Sequence, residues 1–109
     1  MSYWITGRAG SGKTTLAHKL ARQIPNGVVI DGDETRKYWK SDFTREGRFQ
    51  NQRNIVRIAK MLELQGCVPI IACVSPDKLL RGILQKQLKD CIEIQMPFGE
   101  LWEGTTYEE

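Results

Sequence analysis

Three glycines, a lysine and a threonine stand at the spacing G-x-x-x-x-G-K-[ST] over residues 7–14, Gly-Arg-Ala-Gly-Ser-Gly-Lys-Thr. The chemistry of that spacing is anion binding. Gly7, Gly10 and Gly12 allow backbone conformations closed to residues with a Cβ, so successive N–H groups can turn inward around a phosphate. The loop then leads into a helix N-terminus, whose dipole favours the same negative charge. Lys13 can reach the outer phosphates of ATP, and the Thr14 hydroxyl is a ligand for Mg²⁺. Arg8, Ala9, Ser11 and Thr15 complete the set expected around the ATP phosphates. An apolar strand pattern, Tyr3 to Thr6, enters this phosphate-binding loop (P-loop) and a helical pattern leaves it, the context that the motif requires.

Asp31-Gly32-Asp33 is the second constellation. Two carboxylates at a strand end, beside ATP and Mg²⁺, suggest one acting through the metal or its waters and one accepting a proton from an attacking hydroxyl. Asp31 takes the first role and Asp33, farther from the sheet, the second. The alternative is a turn in which Asp33 caps the next helix. Arg36, one turn later, can pair with an anionic substrate or with Asp33.

The elements that must position these groups follow from periodicity. Leu16, Ala17, Leu20, Ala21 and Ile24 lie at helical spacing after Lys13, and Pro25-Asn26-Gly27 ends that helix. Val28 to Ile30 reads as a second buried strand, and a short helical turn is expected from Glu34 to Trp39, with a polar segment running through Glu46. A helix from Arg48 to Gln65 carries the core stripe Ile55, Ile58, Ala59 and Leu62, and the same face extended backward holds Asn51 and Arg48. Cys67 to Val74 is an apolar third strand. Ser75-Pro76 reads as cap and first position of a helix reaching Lys89, and Cys91 to Met96 as a fourth strand. The expected fold is therefore α/β, a P-loop nucleotide kinase-like parallel sheet of about four strands with helices on both faces, formed as one domain over 1–109. The P-loop, Asp31-Gly32-Asp33 and Ser75 then share the carboxyl edge of the sheet, where open α/β sheets bind ligands.

Composition narrows the class. The 109 residues are 40% hydrophobic and 27% charged, with a net charge of +3, as in ordinary globular domains. No membrane-length apolar run or signal-like leader is visible, and cytoplasmic placement is expected. Cys67, Cys73 and Cys91 lack metal-ligand spacing and read as small core residues in a reducing compartment; His18 reads as a structural or surface residue. Between Arg36 and Lys60 there are eight basic residues against Asp42 and Glu46, whereas 100–109 holds four glutamates and no base. The basic stretch is where an anionic acceptor would find its counter-charges, although Arg57 and Lys60 read as the solvated side of a helix.

Taken in order, Trp4-Ile5-Thr6 and the P-loop, Asp31-Gly32-Asp33-Glu34-Thr35-Arg36, Phe43-Thr44 with Arg48 and Asn51, Val74-Ser75-Pro76 and Ile92-Glu93-Ile94 resemble the adenylylsulfate kinase family. Gly104 to Glu108 is similar to a shortened form of that family's closing Gly-Ile-Asp-x-Pro-Tyr-Glu segment. The resemblance implies transfer of the ATP γ-phosphate to the 3′-hydroxyl of adenosine 5′-phosphosulfate. It also implies that Arg36, Arg48 and Asn51 hold the phosphosulfate, that Phe43 stacks on the adenine, and that Val74 and Ser75 lie against the substrate, with Ser75 near the transferring phosphate. Asp31 and Asp33 would border the same acceptor.

The chain departs from the family in two places. Where the family pattern has Asp before the arginine and Glu-Asn-Ile-Arg-Arg after it, this chain has Gly47 before Arg48 and then Gln50-Asn51-Gln52-Arg53-Asn54. The family's lid segment is nearly absent, with only 97–103 in its place; closure by dimerising, as a homodimer, is one expected compensation. No membrane partner is expected. Two other functions compete: a P-loop kinase for another nucleotide, a polynucleotide or a small metabolite, and a nucleotide-binding module with weak catalysis or none. A polynucleotide would track Tyr38, Trp39 and Phe43 among the basic residues, but nucleic acid is not the expected partner.

Overall fold

The computed structural model describes residues 1–39 and 42–97. The expectations placed on the segment 98–103, on the acidic stretch and on Gly104 to Glu108 lie outside the described residues. The elements run β1 (Ser2–Thr6), α1 (Lys13–Gln23), β2 (Gly27–Asp31), α2 (Gly32–Tyr38), α3 (Arg45–Leu64), β3 (Val68–Ala72), α4 (Lys78–Gln85) and β4 (Cys91–Gln95).

The four strands form one sheet in the order β2-β3-β1-β4, and every pair is parallel. Its register sets Ile5 beside Ala72 and Ile94, and Ile30 beside Ile71. Parallel crossovers are right-handed almost without exception, so a step in one direction along the sheet and a step back place their helices on opposite faces. The chain steps from β1 outward to β2, then back to β3 and on to β4. Two cores result. Ile5, Ala17, Ile70 and Ala72 pack with Leu16, Leu20 and Ile24 of the α1 side. Trp4, Ile71, Ile55, Val56, Ala59 and Leu84 pack on the α3 and α4 side. Adjacent residues Trp4 and Ile5, or Ile70 and Ile71, thus serve different faces, which is why the strands read as unbroken apolar runs.

Four local expectations are corrected. The helix expected from Arg48 begins at Arg45, because the Thr44 side chain accepts from the Gly47 N–H and caps it. Ser75 is not a helix cap: α4 starts at Lys78, and Asp77 accepts from the Leu80 N–H at 3.2 Å. That helix ends at Gln85 rather than Lys89, continuing as turns through Leu88. Asp31, not Asp33, caps α2. Gly32 must lack a side chain for packing reasons, since a Cβ there would stand 2.9 Å from the Cys73 Cβ. No described helix is long and apolar enough to cross a membrane.

Candidate active site

A cavity of about 370 Å³ opens at the carboxyl edge of the sheet. The loop between β1 and α1 forms one wall with Ala9, Gly10, Gly12, Lys13, Thr14 and Thr15; Gly7, Arg8 and Ser11 do not line it. Gly10 and Gly12 have φ of +73° and +89°, the left-handed region in which a Cβ is strained. The α1 N-terminus has no side-chain cap, so its first N–H groups are left for an external acceptor. Lys13 folds back over the loop, its Nζ donating to the Arg8 carbonyl at 2.8 Å. Burial draws the Lys13 pKa below its ordinary 10.5, while Asp33 and Asp31 oppose that shift.

The Thr14 hydroxyl donates to Asp31 Oδ2 at 2.6 Å, so the two residues expected to hold Mg²⁺ are already paired. Asp31 Oδ1 accepts the Asp33 N–H at 2.8 Å, and this cap turns the Asp33 side chain, which is exposed, toward the cavity wall that it helps to form. Arg36 and Arg48 line the same cavity. Both are fastened to one stretch: Arg36 Nη1 donates to the Asp42 carbonyl and Arg48 Nη1 to the Phe43 carbonyl, each at 2.9 Å. Burial lowers the Arg36 pKa, with Asp33 the largest opposing influence.

Phe43 is not brought to this cavity. Its ring is 54% exposed, and the Arg36 guanidinium lies 4.3 Å from its centroid. Asn51 lines the cavity but its amide is engaged within the fold. Its Oδ1 accepts from Thr35 Oγ1 at 2.9 Å and Trp39 Nε1 at 2.8 Å, and its Nδ2 donates to the Gly32 carbonyl at 3.3 Å. Asn51 therefore ties α3 to the helix that carries Asp33 and Arg36. Replacing Asn51 with leucine should cost about 1–2 kcal/mol, because it strands the Trp39 donor. A fall in the denaturant midpoint at unchanged slope checks this, and a midpoint shift worth less than about 0.5 kcal/mol would refute it.

Val74 and Ser75 line the cavity above β3. The Val74 carbonyl accepts from Thr6 Oγ1 at 2.7 Å. Ser75 is buried at φ +44°, its Oγ accepting from Trp4 Nε1 at 3.2 Å and lying 2.7 Å from Cys73 Sγ. The Ser75 carbonyl accepts from Arg81 Nη1, also at 2.7 Å, and Arg81 Nε donates to Glu93 Oε1. Burial pushes the Cys73 thiol up to about 11, so it stays a neutral wall group. Of the other cysteines, Cys67 and Cys91 are only partly buried; His18 is exposed on α1.

Trp39, Gln52, Cys73 and Arg81 were not singled out by sequence as parts of the site. Arg81 and Gln52 carried a readable signal only in hindsight of burial, since a charge or an amide at a helical core position needs a partner.

This geometry can bind a polyphosphate along the loop and present a carboxylate and two guanidinium groups to a second anion facing it. The sequence profile of the family described as adenylylsulphate kinase matches residues 1–107. The adenylyl-sulfate kinase of Bacillus licheniformis is 38% identical over 93 residues, which is 80% of this chain and 47% of that protein. The adenylyl-sulfate kinase of Myxococcus xanthus is 35% identical over 105 residues, 91% of this chain and 55% of that protein. An APS kinase of Mycobacterium tuberculosis, solved in complex with AMPPNP and APS, superposes with a TM-score of 0.79 at 26% identity, covering 87% of this chain and 61% of that one. The chain thus spans about half the length of these curated relatives. With its parallel sheet and P-loop matching in the same order, the chain belongs to the adenylylsulfate kinase family.

Proposed function

We propose that this chain carries the phosphoryl-transfer centre of an adenylylsulfate kinase, moving the γ-phosphate of ATP to the 3′-hydroxyl of adenosine 5′-phosphosulfate. The observation that carries the reading is one cavity lined both by the phosphate-binding loop and by Asp33, Arg36 and Arg48. The acceptor is an anion with a hydroxyl to be activated, and these three residues supply both a base and counter-charges.

Gly10, Gly12 and the open α1 N-terminus hold the donor phosphates, and Lys13 leaves the Arg8 carbonyl to meet the outer ones. The Thr14 and Asp31 oxygens suit a hard cation, and the described residues contain no cluster of three or more His, Cys, Asp or Glu, which fits Mg²⁺ completed by phosphates and water. When bound there, Mg²⁺ neutralises charge on the β- and γ-phosphates. Asp33 accepts the hydroxyl proton as the acceptor oxygen bonds to the γ-phosphorus and the bond to the ADP oxygen breaks. Arg36 and Arg48 orient the phosphosulfate. Asn51 acts by fixing α2 rather than by spending its amide on the ligand. A cytoplasmic setting fits a chain whose cysteines are free.

A coupled assay with Mg-ATP tests this, with adenosine 5′-phosphosulfate and plain AMP as parallel acceptors and the product identified by mass. Phosphorylation of the phosphosulfate in preference to AMP is expected. Phosphorylation of AMP alone would reassign the acceptor, and no turnover in protein that binds ATP would leave a nucleotide-binding module.

A further inference from the structure

Arg36 and Arg48 reach the main cavity from different helices, α2 and α3, yet both are tethered to the turn that joins those helices. Arg36 Nη1 donates to the Asp42 carbonyl and Arg48 Nη1 to the next carbonyl, that of Phe43, each at 2.9 Å. Like charges repel, and Arg48 adds to the burial that lowers the Arg36 pKa. Where the two guanidinium groups stand therefore depends on where the carbonyls of 42 and 43 stand. The Asp42 side chain fixes those carbonyls. Its Oδ1 accepts from the Thr44 hydroxyl and, at 3.0 Å, from the Thr44 N–H, and the Thr44 hydroxyl accepts from the Gly47 N–H at 3.1 Å. The bonds from Thr44 hold the Asp42 carboxyl below its ordinary 3.8, so it is charged at neutral pH. Gly47 completes the seat. A Cβ there would stand 2.5 Å from the Asp42 carbonyl oxygen and nearer still to Asp42 Oδ1, so a side chain at 47 and Asp42 in this position exclude each other. Glycine is the poorest helix former after proline, and its place inside α3 answers this packing need. It stands where the family pattern noted above has aspartate.

We propose that Asp42 is a positioning residue for the acceptor site: seated over Gly47 and bonded to Thr44, it fixes the turn whose two carbonyls hold Arg36 and Arg48. The inference rests on the acceptor being the anion proposed above. Asp42 does not line the cavity. By Coulomb interaction alone its carboxylate would repel an anionic acceptor and weaken binding. Its contribution is geometric instead. A guanidinium tethered to a neutral carbonyl keeps its full charge, whereas a carboxylate partner would offset that charge. Groups held in place before the ligand arrives also need less ordering when it binds. The carboxylate of Asp42 thus acts on the arginines through the backbone of the turn, with Thr44 passing the constraint on to the start of α3.

The test is equilibrium binding of adenosine 5′-phosphosulfate, with the ATP site saturated by Mg-AMPPNP, to the wild type, Asp42→Ala, Asp42→Asn and Gly47→Ala. Asp42→Ala should bind the phosphosulfate about tenfold more weakly, the scale of one hydrogen bond, although it removes a negative charge from the neighbourhood of an anion. Asp42→Asn keeps an oxygen for Thr44 and should stay within about threefold of the wild type. Gly47→Ala raises helix propensity but pushes the Asp42 carbonyl away from α3, and should weaken binding about as much as Asp42→Ala. All three should keep the wild-type affinity for AMPPNP. Unchanged or tighter binding in Asp42→Ala, or wild-type affinity in Gly47→Ala, would overturn the inference. So would an Asp42→Asn variant as weak as Asp42→Ala, because the bonds to Thr44 would then not be what Asp42 supplies. Binding is read apart from turnover. Binding that depends on Asp42 in a chain that transfers no phosphate would refute the kinase reading and leave the role of the turn standing, whereas transfer to the phosphosulfate with every variant at wild-type affinity would do the reverse.

Discussion

Asp33→Asn should lower kcat for phosphoryl transfer by about 10²- to 10⁴-fold, the range for a positioned general base, while the KM for ATP changes little. The prediction follows from a division of labour between two neighbouring carboxylates. Asp31 is committed on both oxygens, one to the Thr14 hydroxyl and one to the Asp33 N–H. Asp33 is exposed on the cavity wall, near enough to Lys13 and Arg36 to oppose the lowering of their pKa values by burial. Asparagine preserves its size and removes only its ability to take a proton. Single-turnover kinetics, together with a thermal melt showing an unchanged fold, make the check. A variant at the wild-type rate would move the base elsewhere in the cavity and leave Asp33 as a charge on its wall.

Arg81→Met should destabilise the chain by about 2–4 kcal/mol, shifting Tm down by roughly 10 °C or more for a domain of this size. Arg81 is 1% exposed and reaches both the Ser75 carbonyl and Glu93, so it joins α4, the turn after β3 and β4. Methionine fills much of its volume and satisfies neither partner. The carboxylate end of the pair is partly open and keeps Gln85 and Gln95, which holds the cost below that of stranding a fully buried charge. The effect should also depend on pH. Burial favours the protonated form of Glu93, but hydrogen bonds from Gln95, Gln85 and Arg81 outweigh it and hold its pKa below the ordinary 4.5. A carboxylate depressed in the folded state stabilises above its unfolded pKa, and that contribution disappears as pH falls through the folded value. The gap in stability between wild type and Arg81→Met should therefore be full at neutral pH and narrow below pH 4.5. A gap that stays constant into acid would mean that the Ser75 contact alone carries the effect.

The same residue explains how Ser75 is kept at a positive φ. Its carbonyl is held by Arg81 and its hydroxyl by Trp4, whose indole reaches it from the strand before the P-loop. One turn beside the cavity thus depends on Arg81, six residues on, and on Trp4, 71 residues before it. Arg81 supports the site without lining the cavity, and its loss should be visible in stability before it is visible in chemistry.

By itself the sequence determined the P-loop, the parallel α/β architecture and the sheet edge on which the cavity lies. The reason is locality: glycine spacing, apolar runs and helical stripes are properties of consecutive residues, and handed crossovers leave few ways to assemble them. It also brought Lys13, Thr14, Asp31 and Asp33 to one sheet edge, because each lies at or just beyond the end of a legible element, while Arg36 and Arg48, which line the same cavity, were assigned to the acceptor by the family resemblance. Tertiary structure alone decided the rest. Ser75 read as a helix cap because Ser-Pro-Asp permits caps at more than one position, and only the bonds to Trp4 and Arg81 select Asp77 for that task. Asn51 read as a substrate ligand because its helical face pointed inward, which periodicity reports; that Thr35, Trp39 and Gly32 would take its amide is a matter of where α2 packs. Gln52 looked like a change of residue in a helix until the fold buried it beside two cavities with its oxygen unpaired among the described residues. Periodicity tells which way a side chain faces, whereas its partners are set by residues tens of positions away that only packing brings within hydrogen-bond reach.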